Sequence, residues 1–267
     1  MSHDIDDILN EWEYDPEKNM RWIQGRDGTG KIQIRVREGG FSGVLQMNIQ
    51  GRPDGTRPYG YDFVLDYYQD LLESHAVEDP GEKFKLNHES CVELFNEAYS
   101  IYGRYVFMLQ IGEYEKVVRD TEHNLQICSF VKKYAARDGD KFNLEKWRPY
   151  VLRINATAKA MLCLRDKDYT RAMGIIQEAR NNVESLAEIP YEEFHMELKR
   201  SRKAFEDLKQ MIEKMKPLSI EEKLEKELER LIKKEAYERA AVVRDQIRKM
   251  KATSGKEDRG QPEEFKI

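Results

Sequence analysis

Residues 228–248 read LERLIKKEAYERAAVVRDQIR, and this stretch sets the fold of the C-terminal region. Apolar residues recur at three- and four-residue spacing on both sides of a charged segment, which is typical of two helices joined by a bend. The bend is predicted at residues 233–236. The first apolar stripe contains Leu224, Leu228, Leu231 and Ile232, and the second contains Ala240, Ala241, Val243, Ile247 and Met250.

Two helices of this length are marginally stable by themselves, because helix nucleation is costly and few hydrogen bonds follow it. An isolated hairpin would also leave much of both stripes in contact with water. We therefore expect the hairpin to pack against a second hairpin, from another protein or from another copy of this chain. The small alanines would allow two helices to approach closely.

The pattern E-x-A-A-x-x-R-D-x-I at residues 238–247 resembles the UVR motif. This short helical hairpin is found in bacterial excinuclease subunits B and C and in some chaperone and adaptor proteins. One departure is the pair Leu231 and Ile232, which precede the bend where the family often has small residues. The alternative is a charged coiled-coil tail in which the alanines occur by chance.

The resemblance implies that the hairpin docks a protein partner and performs no catalysis. Glu238, Arg244 and Asp245 match charged positions of the motif and are expected to bridge the helices or select partners. Exposed ion pairs of this kind contribute about 0–1 kcal/mol each, so we expect them to set register more than strength. The predicted docking residues are Leu228, Leu231, Ile232, Tyr237, Glu238, Ala240, Ala241, Val243, Arg244, Asp245 and Ile247.

The N-terminal sixty residues are predicted to form a small antiparallel β-meander. Apolar and polar residues alternate in residues 32–37 and 45–50, which places one set on a buried face and the other in water. Glycines in residues 38–43 supply a hairpin turn between these two strands. A third strand is predicted at residues 19–24, and Arg52-Pro53-Asp54-Gly55 is predicted to end the sheet.

Helical periodicity begins near Tyr61 and continues to Pro217. Helices are predicted at about 113–135, 143–165, 168–187 and 191–215, with Asn87 capping an earlier one. Two hairpins, near Gly112-Glu113-Tyr114 and Asp168-Tyr169, are similar to tetratricopeptide repeats. Asp166 and Lys167 replace the turn glycine in the second copy, and the spacing of 55 residues exceeds the usual 34 or so. An ordinary helical bundle is the alternative, and only a repeat implies a concave groove for a peptide or a partner helix.

The predicted fold class is mainly α (α+β). The predicted domains are a β-rich module at 1–60, a helical repeat-like domain at 61–216, the hairpin at 217–252 and a disordered tail at 253–267. A capping box is expected at Ser219-Ile220-Glu221-Glu222, where the hairpin begins. The tail is polar and contains glycine and proline, so it buries too little to offset its ordering entropy.

Composition narrows the classes of function. A charged fraction of 36% with a net charge of −5 provides no overall basic field for a polyanion. Cys91, Cys128 and Cys163 are far apart and lie on apolar stripes, which predicts buried free thiols and a reducing cytoplasm. We expect a bacterial cytoplasmic protein, since the acidic N-terminus is unlike a signal peptide and no segment has the roughly 20 apolar residues of a membrane helix.

Patterns typical of catalysis, cofactor binding or metal binding are not found. Residues 25–31 have the G-x-x-x-x-G-K spacing of a phosphate loop, but Ile32 replaces the magnesium-binding hydroxyl and a strand follows instead of a helix. These residues are predicted to be a hairpin turn. The five histidines have no metal-ligand spacing. We therefore predict a protein that is not an enzyme and has no cofactor, and an enzyme with an unrecognised site is the third possibility.

One surface carries a second functional interpretation. The water-facing side of the meander would display Lys31, Arg35, Arg37 and Arg52 together with several amides. A surface of this kind can contact phosphates, as in a DNA-repair or RNA-contacting factor. The alternative is a solvated sheet face that prevents edge pairing. The preferred interpretation is a non-enzymatic adaptor or scaffold that docks partners through the hairpin and the repeat-like body.

Overall fold

The structure is a computed structural model that describes residues 5–78, 81–217 and 220–257, without the side chains of 221, 222 and 251–257. The protein is mainly α-helical, with a small antiparallel sheet near the N-terminus, which confirms the predicted fold class. The chain forms two compact units, Met1–Ile212 and Glu213–Ile267. The sheet and the helices of the body thus belong to one unit. The boundary predicted at residue 60 is a change of secondary structure within this unit.

The predicted meander is present as three antiparallel strands in the order β1-β2-β3. These are β1 (Met20–Gln24), β2 (Gly30–Glu38) and β3 (Phe41–Asn48). Gly39 has φ +57° in the turn between β2 and β3, a conformation that glycine adopts without steric cost. Ile32 and Ile34 of β2 are buried in the same core as Ile101, Tyr105 and Met108 of the helical body. The sheet is therefore part of the body's hydrophobic core.

Ten α-helices are present in the described ranges, and a short 3₁₀ turn at Pro58–Gly60 precedes the second of them. Asn87 caps the third helix by accepting a hydrogen bond from the backbone N–H of Ser90 at 2.8 Å, as predicted. The helices are α1 (Asp6–Glu11), α2 (Val64–Glu78), α3 (His88–Gln110), α4 (Tyr114–Tyr134), α5 (Asp138–Glu145), α6 (Arg148–Arg165), α7 (Tyr169–Glu184), α8 (Glu192–Met215), α9 (Ile220–Lys233) and α10 (Tyr237–Glu257).

The helical hairpins α3–α4, α6–α7 and α9–α10 have the same type of turn. In each, one residue has a left-handed backbone: Gly112 (φ +75°), Lys167 (φ +61°) and Glu235 (φ +57°). The N–H of the following residue donates to the carbonyl five residues back, at 2.9, 2.8 and 3.0 Å, which is the hydrogen bond of a Schellman motif. Lys167 therefore does occupy the glycine position of the second hairpin.

The short helix α5 lies between the two hairpins of the body and accounts for their long spacing. It inserts Asp138–Glu145 between α4 and α6, while α6 still packs against α4. The arrangement consists of stacked helical hairpins with an insertion. The tetratricopeptide interpretation stays a prediction.

A buried polar network connects the loop after β3 to the helices. The guanidinium of Arg104 pairs with Asp120 at 2.7 Å and donates to the carbonyls of Asn48 and Gly51 at 2.9 and 2.8 Å. Arg104 and Asp120 are both buried. Because buried charges must be paired, this network fixes where the sheet joins α3 and α4.

The three cysteines are free and buried, as predicted. Burial raises the pKa of Cys91 to about 11 and that of Cys128 to about 12. Both thiols therefore stay protonated near neutral pH. Within the described ranges, every helix is too short or too polar to span a lipid bilayer.

The C-terminal region differs in part from its predicted structure. Helix α10 continues to Glu257. Residues 253–257 are therefore helical, whereas disorder was predicted for them. Residues 258–267 lie outside the described residues. The predicted capping box also lies outside them in part, since Ser219 and the side chains of 221 and 222 are not described.

Candidate docking site

The C-terminal hairpin consists of α9 and α10, which pack against each other. The turn between them is Lys234-Glu235-Ala236, within the segment where the bend was predicted. The backbone N–H of Ala236 donates to the carbonyl of Leu231 at 3.0 Å, and that of Glu235 donates to Ile232 at 3.0 Å. These two hydrogen bonds satisfy the last carbonyls of α9 and turn the chain into α10.

Part of the predicted docking stripe is covered within the chain. Leu231, Ala240 and Ile247 are buried. The prediction that these three residues dock a partner is wrong for this conformation, because buried side chains present no surface to a partner protein. Their burial instead stabilises the chain's own fold. Leu224, Leu228, Ala241 and Val243 are half-buried and lie at the margin of this covered stripe.

Exposed apolar side chains of the hairpin lie on both sides of the turn and also at the start of α9, where Ile220 is 66% exposed. Ile232 is 50% exposed before the turn and Tyr237 is 66% exposed after it. We call Ile232 and Tyr237 the turn surface. Both were predicted as docking residues. Val242, which is 60% exposed, was not, because it lies outside the helical stripe from which the docking residues were chosen.

The charged residues of the motif do not bridge the two helices. Glu238, Arg244 and Asp245 are exposed, and Arg244 pairs with its neighbour Asp245 at 3.1 Å. The first of the two expected roles, bridging the helices, is therefore not found for this pair, because both of its members lie on α10; selection of partners stays a prediction. An exposed pair of this kind contributes at most about 1 kcal/mol, so both groups remain accessible to a partner at small cost.

The predicted nucleic-acid face is interrupted by Arg35, which is buried. Its Nε donates to the carbonyl of Trp12 at 3.2 Å, and its Nη1 donates to the carbonyl of Gly43 at 3.2 Å. The N-terminal segment that includes α1 packs over this side of the sheet. Strand alternation places Arg35 opposite the core but does not reveal that a distant segment covers it.

The other basic residues of that face are mostly engaged as well. Lys31 pairs with Asp27 at 2.8 Å, and this hydrogen bond is the main cause of the lowered pKa of Asp27. Arg52 is bound by Asp54 at 2.7 Å and by Glu97 at 3.1 Å. Of the four predicted residues, Arg37 alone is exposed. The face therefore offers phosphates far fewer free cations than the sequence suggested.

Residues 25–29 form the turn between β1 and β2, and residues 30 and 31 begin β2, so the predicted hairpin turn is present. Gly28 has φ +77°, and the carboxylate of Asp27 accepts hydrogen bonds from the backbone N–H and the hydroxyl of Thr29 at 3.0 and 2.7 Å. These bonds fold the turn around Asp27. In the part of the chain that the structure describes, no group of three or more metal-binding side chains is close enough to hold a metal ion.

The model of the UvrB/uvrC motif, UVR, matches residues 220–253. The chain carries a UVR motif. The UVR motif begins at the first residue of α9 and extends into α10, so it coincides with the hairpin described above. UVR motifs mediate protein–protein and DNA interactions in general. Neither a curated protein nor a solved structure matches the chain.

Proposed function

We propose that this protein is a non-enzymatic adaptor or scaffold that docks a partner protein through the turn surface of its UVR hairpin. The observation that carries the proposal is that a hairpin matching UVR keeps Ile232 and Tyr237 exposed at its turn. The partner is a second UVR-type hairpin, in another protein or in another copy of this chain. The helical body contributes further contacts to the same scaffold.

Comparison with the other two hairpins supports a docking role for Tyr237. Tyr114 and Tyr169 occupy the same place in their hairpins, two residues after the left-handed residue. Both are partly buried and pack against core clusters of the body. Tyr237 is mostly exposed at the equivalent place. A partner that covers Tyr237 would give the third hairpin the packing that the first two already have.

The energetics of exposed aromatic residues favour the same assignment. Burying a large apolar side chain contributes about 1.5–3 kcal/mol, and tyrosine is enriched among the residues that dominate binding energy. Ile232 lies just across the turn and adds a second apolar side chain. Glu238 and Arg244 are exposed on α10 and would select among partners by charge.

A cytoplasmic location is part of the proposal. All three cysteines of the chain are free, and each is buried. Disulfides are common in oxidising compartments and rare in reducing ones, so three unpaired thiols fit the cytoplasm. The alternative function, contact with nucleic acid through the sheet face, has less support because Lys31, Arg35 and Arg52 are buried or paired.

The decisive test combines Ile232→Asp with Tyr237→Ala in the full chain. We expect at least a tenfold loss of affinity for the partner recovered from native cells, or a matching loss of self-association in sedimentation experiments. Phe41→Asp is the matched control, since Phe41 is 84% exposed on β3 and lies outside the hairpin. A chain truncated after Pro217 that keeps the same partners, itself included, would contradict the proposal.

A further inference from the structure

Strand β3 forms one edge of the three-stranded sheet, because it pairs with β2 on one side only. This pairing is antiparallel and regular from Phe41 to Asn48, without a bulge. Residues 41–48 read FSGVLQMN and contain no charged residue and no proline. Edge strands are usually protected from pairing with other chains by charges, prolines or bulges. All three of these features are missing from β3, although it is eight residues long.

The hydrogen bonds of the sheet show which backbone groups of β3 point away from β2. The N–H of Arg35 donates to the carbonyl of Asn19 at 2.7 Å, on the side of β1. Its cross-strand neighbour on β3, Val44, is therefore not hydrogen-bonded to it, and alternate residues of β3 behave in the same way. The N–H and C=O groups of Ser42, Val44 and Gln46 thus point outward. No hydrogen bond from the part of the chain that the structure describes reaches these groups.

We call residues 42–46 the open edge. It ends before Asn48, whose N–H donates to the carbonyl of Pro53 at 2.9 Å and whose carbonyl accepts from Arg104 at 2.9 Å. Unpaired strand edges are templates for pairing with a further strand, because each free N–H and C=O can complete a ladder.

The side chains on one face of β3 leave apolar surface beside the open edge. Phe41 is 84% exposed and Leu45 is 51% exposed, and both lie on the same face because they are an even number of residues apart. Gly43 lies between them. A Cβ added to Gly43 would meet nothing within 4 Å, so the surface there has room for a side chain from outside.

We propose that the open edge pairs with the open edge of a second copy of this chain. The two strands are antiparallel and related by a two-fold axis at Val44. Two backbone hydrogen bonds join the two Val44 residues, and two more form wherever Ser42 of one copy is opposite Gln46 of the other. The two sheets thereby become one sheet of six strands, which is an isologous interface.

The occupant is a second copy because β3 is complementary to itself in this register. Leu45 of each copy lies opposite Gly43 of the other, so a large side chain meets the open space beside a small residue. Phe41 lies opposite Met47, and contacts between sulfur and aromatic rings are favourable. The pairing brings no like charges of β3 together, although the whole chain has a net charge of −5. This interface is independent of docking through the UVR hairpin.

The pairing is expected to be weak and reversible. Only three residues of each open edge form the new ladder, and small interfaces are usually transient. We expect a dissociation constant above about 10 µM. Well below that concentration the edge stays open, so Phe41→Asp remains a control for docking through the hairpin.

The first experiment follows sedimentation of the full chain up to about 500 µM, with the turn surface substituted as above so that the hairpin does not contribute to self-association. We expect dimers to form as the concentration rises. Phe41→Lys with Leu45→Lys places four lysines at the joined edges and should weaken dimerisation at least tenfold. Val77→Lys with Val92→Lys is the control, since these side chains are 82% and 41% exposed on α2 and α3. A chain that stays monomeric, or equal effects of the two double variants, would overturn the proposal.

The second experiment tests the register by oxidation of single cysteine variants. Two residues at the axis have Cα atoms about 5.5 Å apart, which suits a disulfide, whereas the two Gln46 residues would be more than about 13 Å apart. We expect Val44→Cys to form a covalent dimer at least tenfold faster than Gln46→Cys, although Val44 is the less exposed residue. The native cysteines are buried and should not interfere. Equal rates, or faster cross-linking of Gln46→Cys, would overturn the assigned pairing.

Discussion

Glu97 is a buried carboxylate that holds three parts of the chain together. Its oxygens accept hydrogen bonds from the backbone N–H groups of Val64 and Leu65 at 2.6 and 3.2 Å. They also accept from Arg52 at 3.1 Å and lie 3.1 Å from Nε2 of His123. The start of α2, the loop after β3 and helix α4 therefore all depend on one side chain of α3.

The pKa of Glu97 has a consequence for stability in acid. Burial alone would raise this pKa, but the hydrogen bonds to His123 and to the N–H of Val64 outweigh it, and the pKa is lowered. A carboxylate with a lowered folded-state pKa stabilises the fold above its unfolded value of about 4.3, and this contribution is lost as the pH falls through the folded value. Protonation thus weakens the junction only under acidic conditions.

We predict that Glu97→Gln lowers the free energy of unfolding at pH 7 by about 3 kcal/mol or more, because the neutral amide removes the buried ion pair with Arg52 and one of the two oxygens that accept from the N–H groups of Val64 and Leu65. The variant should also lose less stability than the parent between pH 5 and pH 3. Urea unfolding across this range measures both effects. Glu184→Gln is the control, since Glu184 forms an exposed pair with Arg180 worth at most about 1 kcal/mol. Parallel pH profiles for parent and Glu97→Gln would contradict the assignment.

Among elements, the three Schellman turns show what a helical hairpin requires of its sequence. Gly112 meets the requirement for a left-handed backbone without strain. A Cβ added there would meet only ordinary contacts, at 3.9 Å from the ring of Tyr114. The cost of a side chain at this position is therefore conformational. Lys167 and Glu235 bear that cost at the equivalent positions.

We predict that Glu235→Gly stabilises the α9–α10 hairpin by about 0.5–1 kcal/mol, because glycine removes the left-handed strain and offsets its own entropic cost. Hydrogen exchange of the amides in both helices measures the change. Lys234→Gly one residue earlier is the matched control and should destabilise the hairpin, since Lys234 has no positive φ. The mirror experiment, Gly112→Ala, should destabilise α3–α4 by about 1 kcal/mol. Stabilisation of the hairpin by both glycine variants would contradict this account.

These turns also show which parts of the fold could be predicted from sequence. Period-two alternation gave the strands, and the bend after Ile232 followed from the change between apolar stripes and charge. Local patterns succeed where neighbouring residues determine the structure. Helix α5 was partly missed, because residues 138–145 are mostly polar and few apolar residues mark a face. Its Leu144 reaches the core only through tertiary packing.

The candidate site could be predicted to a lesser extent than the fold. The resemblance located the hairpin and its turn, and the exposed Tyr237 was among the predicted residues. Which side of each helix stays exposed depends on how the helices pair. The spacing of apolar residues in a single sequence does not specify that pairing. For this reason Leu231, which was predicted to dock a partner, is buried, and Val242, which was not among the predicted docking residues, is exposed. Arg35 was misjudged in the same way, because the segment that covers it is distant in sequence.

At the scale of the whole molecule, the sheet shares one hydrophobic cluster with helices α3, α4 and α6 within Met1–Ile212. Ile34 of β2 is 1% exposed and lies in a cluster with residues of α3, α4 and α6. Its cross-strand neighbour on β3 is Leu45, which is 51% exposed. Two apolar residues that face each other across one strand pair thus belong to very different environments.

We predict that Ile34→Ala lowers the free energy of unfolding by about 2–5 kcal/mol, whereas Leu45→Ala lowers it by less than about 1 kcal/mol. Thermal unfolding followed by far-ultraviolet circular dichroism reports mainly on the helices, so it measures whether a change in the sheet reaches them. Because Ile34 packs in the same cluster as residues of α3, α4 and α6, the helical transition of Ile34→Ala should move to lower temperature as a single step. If the sheet were a separate module, the helical transition of Ile34→Ala would stay at the temperature of the parent. Only the small part of the signal that comes from the strands would change.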